Sequence, residues 1–594
     1  MDQSAQDSAS QLLQEYTRFF EKMMTAGLAG LTKAADTDQG GNEAVIDEGL
    51  AASEVPLSAS VDLEKLIQAQ LSYLQKQSDL WQSVSRAMLG EPADTVIMEA
   101  QHDRRFKHRD WSENPFYSFI KQSYLLNSNL LHDTIDSMVL DVSEQSEALK
   151  FFARQYSNAL SPTNTLFGNP EVYRQTCDSQ GENLKAGMGN LLRDLQQSPQ
   201  PGLRMTQTDE SAFAVGENLA MTPGSVVYQN DIMQLIQYAP TTTKVFQTPV
   251  LITPPYINKY YVLDLDEKKS LVRWLVSKGF TVFMISWVNP DEELAHKGFG
   301  DYVLQGPVEA LDVVAKITGI KKAHLMGYCV GGTLSSLAAA YLKAQGKESL
   351  ATLTLLTTLL DFSNPGEVGH YLSESSWAVL KQRVQTQGYM DGRTLAMGFS
   401  LLRENQLFWP SFINNYLKGE TPEAFDILYW NGDSTHIPAA NYIEYVDNTY
   451  RHNRLREAGS FVIQGTPIDL SQIEVPVYFL ATRSDHIVLW DASYKGTQLV
   501  SGETRFVLAG SGHLAGVINP DGSDKYGYCT NPQLPHYAEE WLEGAQEHEG
   551  SWWTDWFDWA QKQADKQVMA RRVGSKKQFP VLEAAPGSYV KRRI

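Results

Sequence analysis

The chain has 594 residues, 42% of them hydrophobic, an ordinary globular composition that at about 150 residues per domain makes at most about four domains, or two or three if one is large. It carries 50 basic and 70 acidic side chains, a net charge of −20, and a field of that sign repels phosphate backbones, which argues against nucleic-acid binding. Three cysteines, Cys177, Cys329 and Cys529, are too few for a disulfide framework and point to a reducing, cytoplasmic setting.

In chain order, the first sixty residues hold ten acidic and three basic side chains, −7 of the total charge, with neither the basic end nor the apolar run of a signal peptide. Leu12, Leu13, Tyr16, Phe19, Phe20, Met23 and Met24 recur at helical spacing, and the stretch ADTDQGGNEA after them reads as a linker. A second stripe, from Leu63 through Leu66, Ile67, Leu71 and Leu74 to Trp81 and Val84, opens a mainly helical domain expected over residues 1–215. No run of about eighteen apolar residues occurs, so no transmembrane segment is expected.

From about residue 216 the texture changes to short apolar runs alternating with helices. The runs are 250–252, 280–287, 324–326, 351–360, 475–481 and 505–509. Such a rhythm predicts an α/β domain over 216–594 with a mostly parallel sheet covered on both faces. A helix over 266–278 is expected to close at Gly279. The stretch of about 363–465 breaks the rhythm, is rich in Trp, Tyr, Asn and Gly, and is too long for a simple connection, so it reads as an inserted lid or cap. Near the end, Trp552, Trp553, Trp556 and Trp559 cluster with Phe557; burial of this aromatic face against the body is favoured over a surface that meets an apolar aggregate or a partner.

The segment His324-Leu325-Met326-Gly327-Tyr328-Cys329-Val330-Gly331-Gly332 is a strand end, then G-x-C-x-G, then a small-residue helix. It is the nucleophile elbow of an α/β-hydrolase fold with Cys in the place of Ser. Glycines at 327 and 331 remove side chains that would strike the neighbouring strand and helix. The sulfur sits at a helix N-terminus, whose free N–H groups and dipole favour negative charge on it. A buried, inert cysteine is the reading kept for Cys177 and Cys529, which lie in no motif.

The fold orders nucleophile, acid and histidine along the chain. His513 lies in the Gly-rich loop GSGHLAG after the run 505–509, and Asp485 lies in SDHIVLW directly after the run 475–481. Both loops belong at strand C-terminal ends, where such sheets keep their active sites. His486 is the rival base; His513 is preferred because a flexible loop after the last strand suits it. One oxyanion donor is expected from the Val330 N–H. The other comes from the segment TPPYINKYY at 253–261, where the N–H of Ile257 or of Asn258 is the candidate. Walker, GxGxxG and HExxH patterns and metal-ligand clusters are absent, so no metal and no nucleotide cofactor is expected.

At these residues the chain resembles the class I polyhydroxyalkanoate synthases. The resemblance covers nearly the whole chain through Asp103-Arg104-Arg105-Phe106 with Trp111, PPYINKYY at 254–261, GYCVGG at 327–332, SDHIVLW at 484–490 and SGHLAGVINP at 511–520. Leu489 departs from the proline that many relatives carry there. The resemblance implies an acyltransferase that polymerises (R)-3-hydroxyacyl-CoA into polyester, releasing CoA as a product, with no bound cofactor. It implies Cys329 as acyl acceptor, His513 as general base and Asp485 as its acidic partner. It also implies a homodimer and contact with the polyester granule surface in the cytoplasm. Two other functions share some of these features: a Cys-elbow esterase, lactonase or acyl-CoA thioesterase, and a non-catalytic granule-surface protein on an old fold.

Overall fold

The computed structural model describes residues 59–594 apart from 93, 141–142, 199–202, 524, 564–565 and 576. The helical stripe at residues 12–24 and the linker after it lie outside the described residues.

The N-terminal part is built from helices α1 (Leu63–Met88), α2 (Pro115–Asp136), α3 (Ser143–Ala159), α4 (Pro170–Asp178) and α5 (Glu182–Gln196). Capping explains where they start. Asp62 accepts the Lys65 N–H, Asn114 the Phe116 N–H, and Asn169 the N–H groups of Glu171 and Val172. A proline at the first position of α2 and α4 loses no hydrogen bond there. A small antiparallel pair, Ala59–Val61 with Met138–Leu140, joins the ends of α1 and α2; three-residue strands leave little periodic trace in sequence.

The catalytic part is organised by one eleven-stranded sheet. In chain order its strands are β1 (Gly224–Gln229), β2 (Met233–Tyr238), β3 (Val250–Thr253), β4 (Val282–Trp287), β5 (Ala323–Tyr328), β6 (Leu350–Leu356), β7 (Val477–Thr482), β8 (Thr504–Ala509), β9 (Tyr528–Thr530), β10 (Gln546–His548) and β11 (Glu583–Ala584). Across the sheet they run β10-β9-β8-β7-β6-β5-β3-β4-β2-β1-β11. The pairings from β4 to β8 are parallel. Both flanks are antiparallel: β2 against β4, β1 against β2 and β11 against β1 on one side, β9 against β8 and β10 against β9 on the other. The expected parallel sheet is thus the centre of a mixed one. The continuous apolar runs found in the sequence are the strands buried on both faces, whereas β2 carries the buried Gln234 and Gln237 that interrupt such a pattern.

Alternate residues of the central strands feed two cores. Phe283, Ile285, Leu325 and Leu353 face one, packed by helices α7 (Glu309–Thr318) and α8 (Val330–Ala344). Val282, Met284, Met326 and Tyr478 face the other, covered by α6 (Leu271–Ser277) and by the tryptophan helix Trp552–Lys562. Helix α6 starts at 271 rather than 266 because Ser270 caps it, accepting the Arg273 N–H. It closes at Gly279, whose φ of +89° is the left-handed geometry of a helix C-terminus.

Trp552, Trp553 and Trp556 are buried to about one part in a hundred. Burying a side chain of that size is worth about 4–6 kcal/mol before entropic costs, which places this aromatic face in the core. Residues 363–465 contribute no strand to the main sheet. They form helices α9 (Glu374–Gln387), α10 (Gly392–Leu402) and α11 (Ala439–Val446), with further helical segments over 404–417 and Asp426–Gly432 and a small antiparallel pair of Tyr389–Met390 with Ile437–Pro438. The N-terminal helices grip this lid. Arg154 pairs with Glu367 at 2.5 Å and Asn158 donates to Glu404 at 2.7 Å.

Candidate active site

Strand β5 ends at Tyr328, α8 begins at Val330, and Cys329 forms the bend between them with φ 54° and ψ −126°. A non-glycine residue in that region is strained by about 1–3 kcal/mol, and the surroundings hold it there. Its N–H donates to the Leu356 carbonyl at 2.9 Å, and its own carbonyl accepts the N–H of Gly332 at 2.9 Å. The glycines are there for contact. A Cβ on Gly331 would overlap the Thr253 carbonyl and one on Gly327 would overlap the Cα of Gly332, while one on Gly332 would overlap the Thr358 hydroxyl. Helix α8 is therefore pressed against the end of β3. Two more strained residues, Thr357 (φ 42°) after β6 and Ser511 (φ 71°) two residues before His513, lie on loops of the same sheet edge.

His513 Nδ1 lies 2.7 Å from Asp485 Oδ2, and both residues are buried, 8% and 5% exposed. The other carboxylate oxygen, Oδ1, accepts the N–H groups of Ile487 and Val488, both at 2.9 Å. Asp485, on the loop after β7, is thus a carboxylate with a fixed orientation. Burial opposes its charge, but the imidazole beside it and the two backbone donors hold its pKa below the ordinary carboxylate range. The ring of His513 stacks on Tyr328 at 5.4 Å, and the Tyr328 hydroxyl donates to the His513 carbonyl at 3.2 Å. With Nδ1 on Asp485, the remaining ring nitrogen is left for the Cys329 thiol, which acts electrostatically on the ring. Burial again opposes charge, but Asp485 and then Cys329 outweigh it and raise the imidazole pKa to about 10. The Cys329 thiol, the His513 ring and the Asp485 carboxylate are thus electrostatically coupled.

His486, the rival base, points elsewhere electrostatically. Burial, with Arg403 nearby, pushes its pKa down to about 4, and its neighbour Asp485 gives its carboxylate to His513. Leu489 sits at the start of the following helix, where its backbone, at φ −56°, already has the angle a proline would impose.

For the oxyanion, Val330 is the first residue of α8, so its N–H has no acceptor within the helix. In the facing loop, Pro254 and Pro255 have no N–H to give. Ile257 and Asn258 follow on the same loop, which is tied down by the Thr435 N–H on the Ile257 carbonyl at 2.9 Å and by the Trp287 indole on the Pro254 carbonyl at 2.9 Å. Aromatic side chains lie near the sulfur. Tyr445 and Tyr450, both buried, interact with Cys329, as does Tyr256. No motif marked Tyr445 and Tyr450, whose only signal was the aromatic richness of the lid, whereas Tyr256 lies within PPYINKYY. Cys177, expected to be buried, is instead exposed on α4, whereas Cys529 is buried on β9 with the Arg483 guanidinium 3.2 Å from its sulfur. Among the described residues no group of three or more His, Cys, Asp or Glu could hold a metal ion, and no helix is long and apolar enough to cross a membrane.

The site also sets a pH dependence for folding. His436, stacked on Tyr389 at 4.2 Å and accepting the Gly392 N–H at 3.1 Å, is held by burial at a pKa of about 4, as His486 is. A depressed histidine stabilises the fold above its unfolded pKa near 6.5 and loses that contribution as pH falls towards 4. His513, raised to about 10, has the opposite sign: its contribution is complete below 6.5 and is lost as pH rises from 6.5 to 10. Stability should therefore peak near pH 6.5. On the acid side, the two extra protons taken up by His436 and His486 on unfolding give a slope of up to about 2.7 kcal/mol per pH unit, to which His132, also depressed by burial, adds in the same direction. Urea melts from pH 4 to 10 measure it; a maximum displaced above pH 8 would contradict these assignments.

Comparison with known proteins agrees with the motifs. Residues 102–275 match the family described as poly-beta-hydroxybutyrate polymerase N-terminus, and residues 259–520 match the alpha/beta hydrolase fold. The chain is 42% identical over 533 residues to the poly(3-hydroxyalkanoate) polymerase of Methylorubrum extorquens, covering 90% of this chain and 88% of that one. It is 41% identical over 556 residues to the poly(3-hydroxyalkanoate) polymerase subunit PhaC of Cupriavidus necator, covering 91% and 92%. With both parts of the chain matched and relatives covered almost end to end, the chain belongs to the poly(3-hydroxyalkanoate) polymerase family.

Proposed function

We propose that this chain polymerises (R)-3-hydroxyacyl-CoA through an acyl group carried on Cys329. The observation that carries the reading is the Asp485–His513 hydrogen bond beside Cys329 at a strained elbow, in a chain of this family. Cys329 Sγ attacks the thioester carbonyl and its proton rests on His513. The oxyanion is held by the Val330 N–H and by that of Ile257 or Asn258. The C–S bond to CoA breaks, and the leaving sulfur takes the proton from His513. The 3-hydroxyl of the next unit then gives its proton to His513 and attacks the acyl-Cys329 carbonyl. The C–Sγ bond breaks, and the sulfur recovers the proton.

The energetics favour this chemistry. Exchange of one thioester for another is nearly balanced, and transfer to an alcohol gives the more stable oxygen ester. A lid packed with buried tyrosines excludes the water that would hydrolyse the intermediate. No cofactor enters, and CoA is a product. The lid also favours a polymerase over a thioesterase, the second reading. Homodimerisation and contact with the polyester granule belong to the same proposal, supported by the family alone. The test is incubation with 3-hydroxybutyryl-CoA while CoA release and turbidity are followed together. Both should rise. CoA release with soluble 3-hydroxybutyrate and no turbidity would replace the polymerase by a thioesterase.

A further inference from the structure

One buried cation has no part in the chemistry above. The Lys259 side chain is 4% exposed, and its ammonium faces the Asp433 carboxylate at 3.1 Å, itself 1% exposed. The same ammonium donates to the carbonyls of Val590 at 2.8 Å and Arg592 at 2.6 Å. Three distant stretches of chain therefore meet at one nitrogen: the loop after β3, the lid and the segment 589–593. Each is fixed again nearby. The Tyr261 hydroxyl donates to Asp433 at 2.9 Å, and the Trp430 indole donates to the Lys259 carbonyl at 2.6 Å. Arg593 stacks on Tyr429 at 4.6 Å and pairs with Glu210 at 3.2 Å. A buried ion pair is a poor source of stability, because desolvation of both charges offsets their attraction. Its value here lies in direction: two backbone carbonyls and a carboxylate fix the ammonium in a single geometry.

Lys259 lies one residue past Asn258 and two past Ile257, on the loop that abuts the N-terminal turn of α8 through Gly331. We propose that Lys259 is a positioning residue for acyl transfer, and that the segment 589–593 is the clamp that holds it. By tying the loop to Asp433 and to the Val590 and Arg592 carbonyls, it fixes the loop N–H groups opposite Val330. The inference rests on the oxyanion role proposed for that loop. It acts on the step in which negative charge develops on the carbonyl oxygen, where a displacement of about 1 Å costs about a hundredfold.

The test compares wild type, Lys259→Met, Lys259→Arg and a chain ending at residue 588, the last with and without a synthetic peptide of residues 588–594. Two rates are read: CoA release from 3-hydroxybutyryl-CoA, and alkylation of Cys329 by iodoacetamide, a displacement at carbon that makes no oxyanion. Lys259→Met should lower kcat for CoA release about a hundredfold with KM changed less than threefold and alkylation within twofold of wild type. Lys259→Arg should recover part of the loss, and the peptide should restore part of the activity of the shortened chain. A kcat within threefold of wild type in Lys259→Met overturns the proposal. So does a parallel fall of CoA release and alkylation, because it marks general loosening of the fold. The wild-type arm separates this from the function itself: absence of an acyl adduct on wild-type Cys329 would end the cysteine mechanism whatever the variants do.

Discussion

Cys329→Ala should release no CoA from 3-hydroxybutyryl-CoA above background, a loss of at least about 10⁴-fold, because removal of a nucleophile leaves only binding and oxyanion stabilisation. Cys329→Ser should retain the elbow geometry yet fall by about 10³-fold, since a hydroxyl gives up its proton far less readily than a thiol. The other two cysteines supply the controls. Cys177 is exposed and carries no contact with the site, so Cys177→Ala should stay within twofold; Cys529, on β9, should change melting temperature more than turnover. Rates are read as single-turnover CoA release, with mass spectrometry of the acylated protein to locate the adduct. Wild-type turnover in Cys329→Ala would remove the foundation of the proposed mechanism, because no other thiol lies within the Asp485–His513 arrangement.

Much of this site could be read before any coordinates, for reasons that are local. The elbow is legible because its geometry restricts residue type at several adjacent positions. Two glycines are demanded by contacts a Cβ would break, and a third, Gly332, faces Thr358 in the same way. Asp485 and His513 were legible because each follows an apolar run that could only be a central strand. The antiparallel flanks were not. Strands β9, β10 and β11 are two or three residues long, and β2 hides two glutamines inside the sheet. The tyrosines of the lid and the Lys259 junction were not legible either. Their partners lie roughly 120 to 330 residues away in the chain, and no periodicity encodes that distance. Long-range polar contacts of this kind are fixed only when the whole fold has formed.

Asp485→Asn is the sharpest test of the histidine's role, because the surrounding backbone dictates how the new amide must sit. Oδ1 of Asp485 accepts two N–H groups, from Ile487 and Val488. An amide NH₂ turned towards them would set donor against donor, so the amide oxygen takes that place and the NH₂ faces His513 Nδ1. Nδ1 must then accept, which moves the ring proton to Nε2, the nitrogen that faces Cys329. The imidazole is held in the wrong tautomer to receive the thiol or hydroxyl proton. Loss of the carboxylate also removes the main attraction that raises the ring pKa to about 10, leaving burial to push it down. The expected result is a fall in kcat of about 10³–10⁴-fold with KM nearly unchanged, and a His513 pKa that moves from about 10 to below 6.5 when followed by NMR of the labelled ring. With that pKa gone, the alkaline loss of stability above pH 6.5 should flatten in the same variant. A variant with less than tenfold reduced turnover would show that His513 does not depend on Asp485 for its tautomer, and the acid of the site would have to be sought elsewhere.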